Sequence, residues 1–172
     1  MSMEEILITD ANIFFDLLSV DLLPEFFLLP HKIKTTEFVL NEIKDEQQRA
    51  LIDKYIANGR LEMCVFAPEQ FAEIFNLKTS LTGHLSFEDC SVLFCAKQSD
   101  KSTVLTGDLS LRKNVEAMGL KVKGIIGVID MMVTNHITHS EIAALRLEKL
   151  MSINIRLPKG LCRETIRKWK SK

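Results

Sequence analysis

Short apolar runs alternate with longer segments of helical spacing along most of the chain. Ile6-Leu-Ile-Thr9 is a brief apolar run that ends at Asp10. Asn12 to Leu23 follows, with Ile13, Leu17 and Leu18 on one face, the three-and-four spacing of a helix. Lys32 to Thr36 is short and β-branched, and Glu37 to Gly59 reads as one long helix stopped at Asn58-Gly59. Leu61 to Phe66 predicts a strand, Pro68 to Leu77 a helix, Ser86 to Lys97 another, and Thr103 to Thr106 a strand. Leu109 to Met118 predicts a helix stopped by Gly119, Leu120 to Lys123 a strand, and Ile125 to Asn135 a helix. Two more helices close the chain, Glu141 to Met151 and a short basic one from Glu164 to Lys170.

This alternation predicts an α/β fold: a parallel sheet of four to five strands flanked by helices, Rossmann-like, in three layers. Ligands in such sheets sit beyond the carboxyl ends of the strands. Asp10 and Asp108 both follow strand candidates directly, so they are expected at one edge of one sheet.

The 172 residues suit one domain with a real core. Hydrophobic residues at 47% and charged residues at 26% are ordinary for a globular protein. The formal net charge of −1 announces no strongly acidic or basic partner. The acidic start, Met1-Ser-Met-Glu-Glu, is unlike a signal peptide, and no apolar stretch reaches the ~18 residues of a membrane span. Cys64, Cys90, Cys95 and Cys162 form no C-x-x-C pair. They read as free thiols, and the expected location is cytoplasmic, with no membrane contact.

Two further acids fall near the same edge. Glu42 lies in the second predicted helix, and Asp89 in the first turn of the helix that Ser86 opens. Each acid has a structural reading as well. Asp10 and Asp108 can cap the helices that follow them, Ser86-x-x-Asp89 fits a capping box, and Glu42 can be a solvated helix charge. Acids gathered at one edge repel unless a cation offsets them. Carboxylates without histidine or cysteine partners suit a hard ion such as Mg²⁺ or Mn²⁺. His136 and His139 lack a third ligand for zinc and read as a surface pair.

The order of these motifs resembles a PIN domain of the VapC-like prokaryotic kind. An Asp closes the first strand; Val39-x-x-Glu42 sits in the second helix; Leu85-Ser-x-x-Asp89 opens a later helix; Leu105-Thr-x-Asp108-x-x-Leu-Arg112 follows the fourth strand; and Gly119 to Gly127 comes after. The resemblance covers roughly residues 6 to 135. It implies a Mg²⁺- or Mn²⁺-dependent endoribonuclease in which Asp10, Glu42, Asp89 and Asp108 are both catalytic and metal-binding. Asn12 and Thr106 match positions for supporting polar residues. It also implies RNA as substrate and the toxin role in a toxin–antitoxin pair, with an antitoxin protein as partner; a homodimer stays open. Residues 1–137 would then form the catalytic domain, and 138–172 a helical C-terminal extension packed on the same domain.

Grip on RNA needs cations. The candidates are Arg112 and Lys113, one turn beyond Asp108, and Arg163, Arg167 and Lys168 in the basic tail, where Trp169 is available either for base stacking or for packing on the body. One alternative is a catalytically silent PIN-fold module that binds RNA or protein. A receiver domain fits poorly, because Cys64-Val-Phe-Ala-Pro68 offers no acceptor aspartate at the end of the third strand. An Asp-x-Asp phosphatase fits poorly too, because Asp10-Ala11-Asn12 lacks the second acid.

Overall fold

The computed structural model describes residues 4–171. Its centre is a five-stranded parallel sheet of β1 (Ile6–Thr9), β2 (Lys32–Thr36), β3 (Leu61–Cys64), β4 (Ser102–Leu105) and β5 (Lys121–Lys123). The strand order is β3-β2-β1-β4-β5. The chain therefore builds outward from β1 to β3, then returns to lay β4 against the free side of β1. Thr9 pairs with Leu105 at the carboxyl end of that seam, and the Asp10 N–H continues the ladder onto the Leu105 carbonyl at 3.0 Å.

Two helical layers flank the sheet. In the first, α6 (Phe87–Lys97) packs against β1, β2 and β4, and it is bordered by α3 (Glu37–Asn41), α5 (Pro68–Ser80) and α7 (Leu109–Ala117). Every residue of α6 from Cys90 to Ala96 is buried, as expected of a helix that is apolar all round. In the second, α1 (Ala11–Ser19), α2 (Leu23–Phe26), α8 (Ile125–Thr134), α9 (Ser140–Ile153) and α10 (Lys159–Lys170) pack on one another. α4 (Glu46–Ala57) lies against the edge strand β3.

The expected long helix over 37–59 is two helices. α3 ends at Asn41, and the Leu40 carbonyl accepts the Ile43 N–H in a tightened last turn at 3.1 Å and the Arg49 guanidinium at 3.0 Å. Asp45 then caps α4 by accepting the Gln48 N–H at 2.9 Å. The expected helix over 12–23 stops at Ser19 because Asp21 adopts a left-handed φ of 55°, and Pro24 opens the separate turn α2. The last helix is longer than its sequence pattern suggested, starting at Lys159.

Trp169 is fully buried, which removes it as an RNA-stacking platform. Together with Cys162 and Ile166 it forms the buried stripe of α10, and its indole N–H donates to Asp130 Oδ1 on α8 at 2.8 Å. A second tie joins the α9–α10 turn to α1, where the Asn154 amide donates to Asp16 Oδ1 at 3.1 Å. Trp169→Ala should therefore cost about 3–5 kcal/mol, the usual loss for a buried aromatic. Urea unfolding followed by far-UV circular dichroism measures it; a cost under ~1 kcal/mol would mean that α10 is not part of the cooperative unit.

Candidate active site

The fold carries Asp10 to the carboxyl end of β1 and Asp108 to the loop after β4, across the seam. Asp10 is 4% exposed. Its Oδ1 accepts the Ala11 N–H at 2.8 Å. Its Oδ2 accepts from the Thr106 hydroxyl at 2.9 Å and from the Asn12 amide at 3.2 Å. Thr106 Oγ1 also accepts the Asp108 N–H at 3.1 Å, so one hydroxyl ties both strand ends together. Asn12 closes the seam from the other side, its Oδ1 accepting the Gly107 N–H at 2.9 Å. Asn12 and Thr106 are thus both partners of the Asp10 carboxylate.

Asp108 and Asp89 also serve as caps. Asp108 Oδ1 accepts the Leu111 N–H at 2.7 Å. Asp89 Oδ2 accepts the Ser86 N–H while Ser86 Oγ accepts the Asp89 N–H, both at 3.0 Å. In each case capping occupies one carboxylate oxygen, and the other takes no hydrogen bond among the described residues. The Thr36 hydroxyl, which caps α3, lies 2.8 Å from Ser91 Oγ. This buried contact fixes the start of α6 over the end of β2 and brings Asp89 and Glu88 toward Glu42, which caps the end of α3 and does not lie within a helix as its spacing predicted.

The electrostatics show how close these groups are. Burial, then the charge of Asp89, push the Asp10 carboxyl up to about 6, against the pull of its Thr106 and Ala11 hydrogen bonds. Burial, then Asp10, Glu88 and Asp89, push Glu42 up to about 7. Asp89 is raised by burial, Asp108 and Glu88, against its Ser86 bonds. Glu88, beside Asp89 in the first turn of α6, was not among the sequence candidates, and nothing in its local sequence separates it from other surface charges.

The donor set, oxygen only, suits a hard divalent cation. Among the described residues, no three such side chains are gathered tightly enough to hold a metal by themselves. That arrangement fits an ion of the Mg²⁺ type, which binds through one or two carboxylates and completes its shell with water and substrate oxygens.

Of the candidate RNA-binding cations, Arg112 and Lys168 line a cleft of about 1360 Å³ that opens from Asn12 and Asp108. Arg163 and Arg167 line a different hollow, beside Glu148 and Lys170. Lys113 is exposed on α7 and lines neither. Lys123 and Arg156, absent from the sequence candidates, line the cleft.

A sequence model of the PIN domain matches residues 6–171. The chain belongs to the PIN-domain family. The match runs through α9 and α10 as well as the sheet. No curated protein matches the chain. PIN domains are generally nucleases of the hydrolase class, act on nucleic acid and usually use divalent metals. No helix among the described residues is long and apolar enough to cross a membrane.

The raised Asp10 value has a consequence for the metal-free PIN fold. The folded chain keeps this proton to higher pH than the unfolded chain does, so the penalty is absent below about 3.8 and complete above about 6. Stability should fall as pH rises through that window. Glu42 adds little to this, because the residue is exposed and solvent screens the repulsion around it. In EDTA, Asp10→Asn should lose less stability than wild type between pH 4 and 7, by on the order of 2 kcal/mol. The asparagine nitrogen cannot accept a hydrogen bond, so the variant also loses either the Ala11 bond or the Thr106 and Asn12 bonds, about 1–3 kcal/mol. The slope is therefore the observable, read from denaturant melts across pH; parallel slopes would show that neither burial nor repulsion raises Asp10.

Proposed function

We propose that this PIN domain is a metal-dependent endoribonuclease that hydrolyses RNA phosphodiester bonds. The observation that carries this reading is the group of acids at the β1–β4 seam, which raise one another's pKa values at the edge where α/β sheets bind ligands. Side chains that only capped helices would not need to face each other.

Asp10, Asp89 and Asp108 would hold Mg²⁺ or Mn²⁺, one or two of them directly and the rest through water, and Glu42 would either hold it or orient the attacking water. The ion would supply Lewis acidity at phosphorus and offset the charge that develops on the leaving oxygen. Thr106 and Asn12 fix the Asp10 carboxylate so that it cannot turn away from its neighbours. The exposed position of Glu42 leaves its carboxylate accessible to water, where it can orient the attacking water or accept its proton. Glu88 adds negative charge beside Glu42.

We further propose the toxin role of a toxin–antitoxin pair in the cytoplasm, on the strength of the VapC-like motif order. Induced expression should then arrest growth, and co-expression of an antitoxin from a neighbouring gene should relieve it. A catalytically silent module is the second reading, favoured by the open spacing of the acids.

Cleavage of a mixed RNA pool decides between them. EDTA should stop the reaction, and Mn²⁺ or Mg²⁺ but not Zn²⁺ should restore it. Asp10→Asn and Asp108→Asn should each lower the rate at least ~100-fold, since several kcal/mol of charge stabilisation is lost. Mn²⁺ at a hundredfold excess over its Kd should stabilise the wild-type fold by about 2.7 kcal/mol, roughly 5–11 °C in Tm, and Asp10→Asn should shrink that shift. A flat thermal response together with absent cleavage would leave the silent module standing, and metal-independent cleavage would sink both readings.

A further inference from the structure

We propose that the cleft beside the acidic edge is a track for a single strand of RNA, and that the α9–α10 turn supplies one of its walls. The proposal rests on the nuclease reading above and names where its substrate lies. At about 1360 Å³ the cleft exceeds the ~300–1,000 Å³ of small-molecule sites, so a polymer is the better match. It starts at Asn12 and Asp108 and runs to residues 153–158 between α9 and α10.

Its surface combines two chemistries. Phe15, Ile126 and Leu161 give an apolar floor, and Ile155 in the turn is 82% exposed. Arg112, Lys123, Arg156 and Lys168 stand around that floor, contributed by α7, β5, the turn and α10. Lys123, Arg156 and Lys168 have no ion-pair partner among the described residues, and Arg112 has only a 3.9 Å contact with Glu116. Three acids also line the cleft. Asp108 belongs to the acidic edge, while Asp16 and Asp130 are bonded to Asn154 and Trp169 in holding the wall in place. Asp16 and Asp130 bond neutral donors and keep their charges, so the lining carries four cations against three acids, a small positive excess.

An apolar floor bordered by unpaired cations is the chemistry that single-stranded nucleic acid needs: bases lie on the floor and phosphates meet Lys and Arg. A duplex would offer phosphates alone and leave Phe15 and Ile155 without partners. Continuity with Asp108 favours RNA over an acidic peptide, because a strand in the cleft leads its phosphodiesters to Asp108 at the acidic edge.

Fluorescence anisotropy of a labelled single-stranded RNA of about 12 nucleotides tests this, in EDTA and between ~50 and ~200 mM salt. Both cations and Ile155 are exposed, so Arg156→Ala/Lys168→Ala and Ile155→Asp should fold normally. The double variant should bind at least about tenfold more weakly, with a salt slope shallower by roughly 1.4, at 0.7 per lost phosphate contact. Ile155→Asp should weaken binding as well. Wild-type affinity and slope in the double variant, while wild type cleaves RNA in Mn²⁺, would overturn the track and leave the nuclease reading intact. Loss confined to Arg163→Ala/Arg167→Ala would also overturn it, by placing RNA on the other face of α10. Weakened binding of oligoglutamate with RNA binding retained would overturn it in favour of a peptide partner. Wild type that binds RNA through the cleft without cleaving it would support the track and sink the nuclease; wild type that neither binds nor cleaves would sink both.

Discussion

The pairing of β1 with β4 is the constraint on which the rest of the molecule depends. Two strands separated by almost a hundred residues meet at Thr9 and Leu105, and the sheet winds outward from them in both directions. The seam ends on a buried carboxylate, which low-dielectric surroundings disfavour in its charged form. The Thr106 hydroxyl compensates in part by donating to Asp10 while accepting the Asp108 N–H. That single group sets both the distance between the strand ends and the direction in which Asp10 faces. Once it is in place, α1 and α7 must start from the same edge, each capped by one of the two aspartates.

Helix capping and an acidic site look like rival explanations of these residues, and the geometry makes them one arrangement. Capping fixes each aspartate by one oxygen at a helix start, and helix starts follow strand ends in this fold. The favourable local bonds offset a repulsion that would otherwise drive the acids apart. What stays uncompensated is the burial of these carboxylates and, after it, their mutual charge, which together shift Asp10, Glu42 and Asp89 upward. Such conflict between local satisfaction and global repulsion is characteristic of functional sites.

The C-terminal helices extend this logic away from the sheet. Asp16 and Asp130 would be isolated half-buried acids without Asn154 and Trp169. By bonding to them, the α9–α10 turn is held beside the carboxyl edge, and Ile155 and Arg156 stand at the rim of the cleft. The same stripe of Cys162, Ile166 and Trp169 that makes α10 amphipathic buries the indole and turns Lys168 toward the cleft and Arg163 and Arg167 away from it.

What could be read along the chain was what short range decides. Period-two and three-and-four spacing located all five strands and most helices, and an aspartate directly after an apolar run marks both a strand end and a helix cap. Hence Asp10, Asp89 and Asp108 were legible, with Asn12 and Thr106 beside them. Where the pattern misled, a local turn had intervened: a tightened turn at Leu40 and the Asp45 cap split one predicted helix, and the left-handed Asp21 shortened another. Glu88, Lys123 and Arg156 carry no local signal that separates them from other surface charges. Their positions follow from how α6, β5 and the α9–α10 turn pack around the β1–β4 seam. Capping and periodicity act over a few residues and are written in the order of the chain; charge convergence and cleft shape depend on distances between elements, which only the packed core fixes.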